Sequence, residues 1–309
     1  MKIGITGASG FLGSYLLKYL SRKIQYQIYA LTRTVSPQKL DACEGVIWSK
    51  GDLVSPQDCL DFLDGLDVVI HLAHTNTPLT SNRDIASDAL LNLTATLNLL
   101  QAIINSNSKP HLIYASSGGA VYQQSQAKVP FKESDPCEPL SSYGILKCTI
   151  EQYLRMGVLQ GHLTATSLRI GNPYGVLLPL ERMQGLIGVA LNQIVHQQPV
   201  KIFGDPNNVR DYIHLEDMCS IFDLAINHPS GFEVYNVGSG IGYSVNQILD
   251  LLEQITNYKV IRSIQPSTQM SSYLPSWIVL DIAKAKKELG WQPKISFEQG
   301  LKTLCEKIL

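Results

Sequence analysis

A tyrosine and a lysine four residues apart form the pair in this sequence best suited to acid–base chemistry. Tyr143 and Lys147 lie in a segment whose apolar spacing predicts a helix from Ser142 to about Met156. Residues i and i+4 share one face of a helix, so the ammonium group would lie beside the phenol. A nearby cation lowers the pKa of a phenol, which would let Tyr143 act as a base near neutral pH. The same spacing also fits a tyrosine that simply packs at a helix surface.

A glycine-rich turn at the start of the chain predicts a phosphate site. Gly7, Gly10 and Gly13 follow an apolar run and precede apolar residues at helical spacing, a pattern typical of strand, tight turn and helix. Gly7 would permit the turn, Gly10 would let a pyrophosphate approach the backbone, and Gly13 would let the helix pack close to the strand. The N–H groups and dipole of the helix N-terminus favour a phosphate there. The sequence therefore predicts a dinucleotide-binding turn.

The elements that must position these residues alternate between strands and helices through the first half of the chain. This alternation predicts an α/β fold with a Rossmann-type, doubly wound parallel sheet. A long helix from about Ile85 to Ile104 has apolar residues on two faces, which predicts that one face packs on the sheet and the other on a second subunit. The predicted strands cover residues 26–31, 45–48, 67–73, 111–117 and 164–170.

The spacing of the elements changes after Pro173, where prolines, glycines and shorter segments dominate. We therefore expect a dinucleotide-binding domain over residues 1–170, with a strand returning to it from about 209–238. A smaller α/β substrate-binding lobe would comprise residues 171–208 and 239–309.

The composition excludes several classes of partner. The chain of 309 residues carries 25 Lys and Arg against 26 Asp and Glu, a net charge of −1, so neither nucleic acid nor an anionic membrane is expected to bind. No apolar run approaches the length of a membrane span, and no secretory segment is seen. The six cysteines show no metal-ligand spacing, so we expect reduced thiols, no metal site and a cytoplasmic location.

Several short motifs occur in a fixed order along nearly the whole chain. They cover residues 6–13, 51–53, 71–73, 115–122, 142–147, 168–175, 210–214 and 289–293. In this order the sequence resembles the extended short-chain dehydrogenases/reductases, and within them the NAD-dependent nucleotide-sugar epimerases and dehydratases, most nearly the UDP-glucose 4-epimerase-like members. The resemblance implies NAD as cofactor, a nucleotide-diphosphate sugar as substrate and a homodimer.

The resemblance also implies roles for residues at matching motif positions. Tyr143 would exchange a proton with a sugar hydroxyl, and Lys147 would bind the nicotinamide ribose. Asn172 and Arg210 would hold the diphosphate of the nucleotide sugar, since an arginine fork suits a phosphate. The other residues expected to contact the cofactor are Gly7, Gly10, Phe11, Leu12, Gly13, Thr32, Arg33, Asp52, Leu53, Leu72 and Ala73.

Some polar residues in these motifs have a structural alternative. Asp52 follows a glycine at a strand end and is also typical of an ordinary turn. Arg210 could instead pair with a nearby carboxylate. Structural roles are expected for four others, namely His71, Arg169, Asp211 and Asp217.

The sequence departs from the family pattern beside the expected catalytic tyrosine. Many members carry a serine or threonine four residues before the tyrosine matched by Tyr122, and its hydroxyl bonds the reacting sugar oxygen. Gly118 occupies that position here. We expect Ser117 to take over this role, with Ser116 as the alternative.

Two further departures concern the cofactor and the substrate. An acidic residue usually ends the second strand and binds the ribose hydroxyls, whereas an arginine accommodates a 2′-phosphate. Thr32 and Arg33 stand there, so NADP is an alternative to NAD. No arginine follows Arg262, so a phosphate contact made by relatives is missing or replaced around residues 270–276.

Three functions follow from these observations. The first is a nucleotide-sugar 4-epimerase in which Tyr143 is the acid/base and hydride moves transiently to bound NAD. The second is an NADPH-dependent nucleotide 4-keto-sugar reductase, which would use the same residues. The third is a catalytically inactive cofactor-binding protein. A 4,6-dehydratase is disfavoured, because Gly119 and Ala120 replace its acidic pair.

Overall fold

Seven parallel strands form the main sheet of the protein. The computed structural model describes residues 1–34, 44–77, 80–123, 127–177, 185–265 and 275–307. In this part of the chain the strands are β1 (Lys2–Thr6), β2 (Gln27–Thr32), β3 (Val46–Lys50), β4 (Val68–His71), β5 (His111–Ser117), β6 (Ala165–Ile170), β7 (Asn172–Tyr174), β8 (Val200–Phe203), β9 (Val209–His214), β10 (Phe232–Val237), β11 (Gly242–Ser244), β12 (Arg262–Gln265) and β13 (Trp277–Ile278). The main sheet has the order β3-β2-β1-β4-β5-β6-β10.

Helices cover both faces of this sheet. They are α1 (Phe11–Ser21), α2 (Pro56–Leu63), α3 (Ile85–Asp88), α4 (Ala95–Asn105), α5 (Ser142–Leu159), α6 (Leu186–Val195), α7 (Leu215–Asn227), α8 (Val245–Thr256), α9 (Ala283–Leu289) and α10 (Phe297–Cys305). A π-helical turn, Ala89–Thr94, joins α3 to α4. Helices α1 and α7 pack on one face of the sheet, and α2, α4 and α5 on the other.

The sheet forms because its central strands are apolar along most of their length. Every residue of β4 and β6 is buried, as expected for parallel strands covered on both faces. Helix α2 begins where Ser55 accepts a hydrogen bond from the N–H of Asp58. Helix α8 begins with a capping box formed by Ser244 and Gln247.

The remaining strands belong to a smaller second lobe. Strands β7, β11 and β13 pair with β9, while β8 pairs with β12. Its core contains apolar side chains of α6, α8 and α10, including Leu191, Leu249 and Leu301. A bridge between Phe131 and Leu280 links this lobe to the loop after β5. The second lobe therefore reaches the carboxyl edge of the main sheet.

The fold class predicted from the sequence is confirmed. Strand β10 returns to the main sheet beside β6, with Tyr235 opposite Leu168. Strand β9, in contrast, lies in the sheet of the second lobe. The domain limits stay a prediction. Among the described residues, no helix combines the length and apolarity that a membrane span needs, and no three His, Cys, Asp or Glu side chains are placed to share a metal ion.

Candidate active site

The glycine turn after β1 is shaped by backbone contacts that leave no room for side chains. Gly7 has φ +70°, and a Cβ there would lie 2.6 Å from the nitrogen of Ala73. A Cβ on Gly13 would lie 2.1 Å from the carbonyl oxygen of Gly7. Both glycines are therefore required by close packing between the turn, α1 and the end of β4.

The start of α1 fits the pyrophosphate of a dinucleotide. Gly10 is its N-cap and is exposed, and no side chain in the described part of the chain caps this end of the helix. The N–H groups of Phe11 and Leu12 have no hydrogen-bond partner among the described residues. This end of the helix therefore offers free N–H donors beside a backbone without a side chain.

The end of β4 is held by a buried histidine. His71 Nδ1 lies 2.7 Å from Thr6 Oγ1, and its Nε2 lies 2.9 Å from Thr96 Oγ1. The Thr96 hydroxyl donates to the carbonyl of Asn92, so it accepts from His71 Nε2–H. Burial, with a smaller effect of Lys147, lowers the pKa of His71 to about 3. His71 therefore has the structural role expected for it, while the half-buried Leu72 and Ala73 lie next to the glycine turn.

The residues expected near the adenosine lie at the ends of β2 and β3. Thr32 is buried and its hydroxyl donates to the carbonyl of Thr34, while Arg33 is exposed. Asp52 is exposed, and its side chain accepts from the N–H of Val54, as in an ordinary turn. Leu53 is buried in the core. These residues follow strands that end at the same sheet edge as the glycine turn.

Helix α5 carries Tyr143 and Lys147, and its first turn is held by another segment of the chain. Ser81 Oγ accepts from the N–H of Tyr143 at 3.1 Å, and Asn82 Oδ1 accepts from the N–H of Ser142 at 2.8 Å. The N-cap, Ser141, accepts from the N–H of Gly144. Three of the N–H groups that a helix leaves free at its start are satisfied here by side chains. This capping fixes the position of Tyr143.

Lys147 is buried and has no carboxylate in contact within the described part of the chain. Its Nζ donates to the carbonyl oxygen of Ala115 at 2.7 Å and lies 5.3 Å from the centre of the Tyr143 ring. It also lies 4.7 Å from the centre of the Tyr114 ring. Burial lowers the pKa of Lys147 to about 7, and the charges of Glu151 and Asp88 oppose this shift.

The electrostatics of Tyr143 differ from the sequence expectation. Burial raises the pKa of this phenol to about 12, a hydrogen bond with the Ser117 side chain lowers it, and the charge of Asp88 raises it. Lys147 lies over the ring face and donates to Ala115, so its ammonium is not directed at the phenol oxygen. The predicted proximity of the pair is therefore found, but not the predicted lowering of the phenol pKa.

Packing explains why glycine occupies position 118. A Cβ on Gly118 would lie 2.5 Å from Leu280 Cδ1 and 3.0 Å from the carbonyl oxygen of Arg169. Among the described residues, a Cβ on Gly119 would meet only Ser117 Oγ, at 3.9 Å. The hydrogen bond that lowers the pKa of Tyr143 comes from the side chain of the preceding residue, Ser117. The Oγ of Ser116 is buried without a hydrogen-bond partner among the described residues.

A buried ion pair joins α5 to β6. Arg169 binds both carboxylate oxygens of Glu151, with Nη2 at 2.7 Å from Oε2 and Nε at 3.1 Å from Oε1. The Nη1 of Arg169 donates to the hydroxyl of Tyr122. That hydroxyl in turn donates to the side-chain oxygen of Asn236 on β10. Arg169 therefore has the structural role that the sequence predicts.

Arg210 lies on β9 in the second lobe and has no carboxylate partner among the described residues. Its hydrogen bond is to the carbonyl of its neighbour Val209, and burial lowers its pKa. On the neighbouring strand, Asn172 donates to the carbonyl of Asp211. Arg210 is therefore a half-buried positive charge that no described carboxylate compensates.

Asp211 and Asp217 anchor loops, as the sequence predicts. The carboxylate of Asp211 accepts from the backbone N–H groups of Ser239, Gly240 and Leu280. That of Asp217 accepts from the backbone N–H groups of residues 294 and 295. Backbone N–H groups therefore occupy both carboxylates.

Two polar residues near Tyr143 were missed by sequence reasoning. The His74 ring lies edge-on to Tyr143, with 4.8 Å between the ring centres, and its Nε2 is buried without a described partner. Burial lowers the pKa of His74 to about 2. Asp88 is fully buried beside Ser142. His74 follows directly on the motif at residues 71–73, which could have indicated it; no pattern in the sequence singles out Asp88.

Comparison with known proteins places this geometry among characterised relatives. The model of the NAD dependent epimerase/dehydratase family matches residues 3–238. The dTDP-4-dehydro-6-deoxyglucose reductase of Escherichia coli is 31% identical over an alignment covering 98% of this chain and 96% of that protein.

Two solved structures resemble this one along their full length. The UDP-glucose 4-epimerase of Thermotoga maritima with UDP-glucose has a TM-score of 0.90 and 30% identity, covering 100% of this chain and 98% of that one. The UDP-glucose 4-epimerase of Thermus thermophilus in complex with NAD has a TM-score of 0.88 and 25% identity, covering 99% of this chain and 98% of that one.

The packing at position 118 leads to a stability prediction. Gly118→Ser should lower the free energy of unfolding by about 1–3 kcal/mol, because the added atoms overlap Leu280. Gly119→Ser is the matched control and should change it by less than about 0.5 kcal/mol. Urea unfolding of both variants measures the difference. Equal stability of the two variants would contradict the packing account.

Proposed function

Because the chain belongs to the NAD-dependent epimerase/dehydratase family, we propose that it is a nucleotide-sugar 4-epimerase with Tyr143 as the acid/base. The observation that carries this proposal is the cluster of buried Lys147 with half-buried Tyr143 and Ser117 at the carboxyl edge of the sheet, which the glycine turn shares. Ligands of open α/β sheets bind at this edge. The family consists of NAD(P)-dependent epimerases and related oxidoreductases, so the chain is an enzyme of this kind.

The glycine turn and the adjacent strand ends fit NAD. The N–H groups at the start of α1 would bind the pyrophosphate, and Leu72 and Ala73 would line the nicotinamide half. The residues that would border the adenosine are Thr32, Arg33, Asp52 and Leu53. Lys147 would turn from the Ala115 carbonyl towards the nicotinamide ribose. The bound cofactor supplies hydride acceptance and return.

The chain's own residues manage the proton and the substrate. Tyr143 would take the proton of the C4 hydroxyl and later return it to the same oxygen, so no net proton is consumed. Ser117 would hold that oxygen, and the Lys147 ammonium would stabilise the phenolate once it bonds the ribose beside Tyr143. Arg210 and Asn172 would bind the diphosphate, because a half-buried guanidinium without a described carboxylate partner favours an anion.

Removing the Tyr143 hydroxyl tests the catalytic assignment. Tyr143→Phe should lower kcat for interconversion of a 4-epimeric pair of UDP-sugars by about 10²–10⁴-fold, because the proton acceptor is lost. Cofactor affinity should change little. Tyr258→Phe, which removes an exposed phenol hydroxyl in the second lobe, is the matched control. Turnover at the wild-type rate in Tyr143→Phe would refute the assignment.

A second function, an NADPH-dependent reductase of nucleotide 4-keto sugars, is supported by two observations. The Escherichia coli relative at 31% identity is a dTDP-4-dehydro-6-deoxyglucose reductase. Arg33 is exposed at the end of β2, where an arginine accommodates a 2′-phosphate. In this case Tyr143 would donate its proton to the C4 oxygen, and the proton would be replaced from solvent.

The nucleotide carried by the purified protein separates the two functions. An epimerase regenerates its cofactor in each cycle, so we expect denatured protein to release stoichiometric NAD, measured by chromatography. A reductase should instead oxidise added NADPH with a 4-keto sugar nucleotide, and Arg33→Ala should raise its KM for NADPH but not for NADH. NADPH oxidation without retained NAD would refute the epimerase assignment and favour the reductase.

We further propose a homodimer formed through α5 and the helical segment that runs from α3 to α4, with the exposed apolar residues of that segment on α3 and the π-helical turn. An apolar surface is exposed along these elements, comprising Ile85, Leu90, Leu91, Ile145, Tyr153 and Met156. Monomers rarely expose large apolar surfaces, so exposed apolar side chains on these elements favour a partner. A symmetric four-helix contact would bury it against the same surface of a second copy.

Sedimentation tests the dimer. The wild-type protein should sediment at twice the chain mass at micromolar concentration. Leu90→Arg should shift it towards the monomer, because a charge would be buried in the contact. Ile24→Arg, at an exposed position between α1 and β2 and outside this surface, should leave the dimer intact. A wild-type monomer would contradict the proposal.

A further inference from the structure

Asp88 is a buried carboxylate without a cationic partner among the described residues. It is 0% exposed and lies at the last position of α3. Its Oδ2 accepts from Ser142 Oγ at 2.6 Å, and its Oδ1 accepts from the side-chain amides of Asn92 at 2.8 Å and Asn76 at 2.9 Å. Three neutral donors thus satisfy the carboxylate and keep it in place.

The hydrogen bonds of Asp88 join three segments of the chain. Ser142 begins α5 and directly precedes Tyr143, whereas Asn76 follows the end of β4. Asn92 lies in the π-helical turn, and its Oδ1 also accepts from the N–H of Thr75 at 2.8 Å. Asn92 follows Asp88 by four residues, so the two side chains lie on the same side of the helix.

A second unpaired charge is buried on the helix that Asp88 contacts. In the part of the chain that the structure describes, Lys147 has no carboxylate in contact and Asp88 has no cation in contact. The two opposite charges nevertheless attract each other at longer range, and the charge of Asp88 raises the pKa of Lys147. In a buried, weakly screened region such a pair still interacts appreciably. Glu151 also faces Lys147, but its carboxylate is bound by Arg169.

We propose that Asp88 is a positioning residue for Tyr143 and Lys147, acting through its bond to Ser142 and through its negative charge. The bond fixes the first turn of α5, and the charge favours the ammonium form of Lys147. This proposal rests on the proposed function, because it assigns Asp88 to the same acid–base step.

The sign of the effect follows from the charges around Lys147. Burial lowers the pKa of Lys147, and the negative charges of Glu151 and Asp88 raise it. Neutralising Asp88 removes a charge that raises the pKa, so the ammonium would lose its proton at lower pH. The groups facing Lys147 from the elements around it are His71 and His74 at and after the end of β4, Tyr114 and the Ala115 carbonyl on β5, Tyr143 and Glu151 on α5, and Asp88 on α3.

Two variants separate the charge of Asp88 from its hydrogen bond. Asp88→Asn keeps the shape and removes the charge, while Ser142→Ala keeps the charge and removes the bond. Asp84→Asn is the matched control, because Asp84 is an exposed carboxylate four residues away that caps the same helix.

The first measurement needs no turnover. Titration of Lys147 is followed by NMR of lysine labelled with carbon-13 at Cε, with the signal assigned by Lys147→Met. Asp88→Asn should lower the Lys147 pKa by about 0.5–1 unit, and Asp84→Asn should leave it unchanged. An unchanged Lys147 titration in folded Asp88→Asn overturns the proposal, whether or not the protein turns over nucleotide sugars.

The second measurement is the pH dependence of kcat. Asp88→Asn should move the alkaline limb of the kcat–pH profile to lower pH by as much as it lowers the Lys147 pKa, since activity requires the ammonium form of Lys147. Ser142→Ala should lower kcat about 10-fold with the limb unmoved, because Tyr143 is less precisely placed. A wild-type kcat in Ser142→Ala overturns the proposal. If Asp88→Asn does not fold, the Ser142→Ala result alone tests the proposal. No turnover by the wild type would refute the proposed function instead, and the NMR result would still stand.

Discussion

The buried ion pair between Arg169 and Glu151 is the constraint on which the placement of the active site depends. Tyr143, Lys147 and Glu151 are spaced by four residues, so they share one face of α5. Hydrogen bonds from Arg169 hold the last of them to β6, with both charges enclosed by protein. Rotating α5 by one residue would separate the pair and leave a buried charge without its partner, which is strongly unfavourable. The same pair therefore directs Tyr143 and Lys147 towards the carboxyl edge of the sheet.

Local pattern in the sequence was sufficient to predict part of this arrangement. The apolar runs predicted the strands of the main sheet within a few residues, and the glycine spacing located the turn before α1. Tyr143 and Lys147 were predicted to lie together because helical spacing is a local property. The structural roles of His71 and Arg169 were predicted from their positions within buried strands.

The remainder depended on contacts between segments distant in sequence. The direction of the Lys147 ammonium is set by the Ala115 carbonyl, 32 residues away, so the effect on the phenol could not be predicted from helical spacing. The lack of space at Gly118 comes from Leu280, which follows the last strand of the second lobe. The importance of Asp88 depends on its hydrogen bond to Ser142, which lies 54 residues further along the chain, and no sequence pattern indicates that contact.

The return of β10 to the main sheet has a consequence for how the chain acquires its structure during synthesis. Strand β6 is made by residue 170, but its partner ends at residue 237, after the first strands of the second lobe. Until then β6 has an unpaired edge, and Tyr122 lacks Asn236, the acceptor of its hydroxyl. An exposed edge of an incomplete parallel sheet is prone to pairing with other chains. During synthesis, the nascent chain is therefore prone to aggregation while residues 171 to 237 are being added. The length of this interval is set by the order of the strands in the sheet and not by the stability of the folded protein.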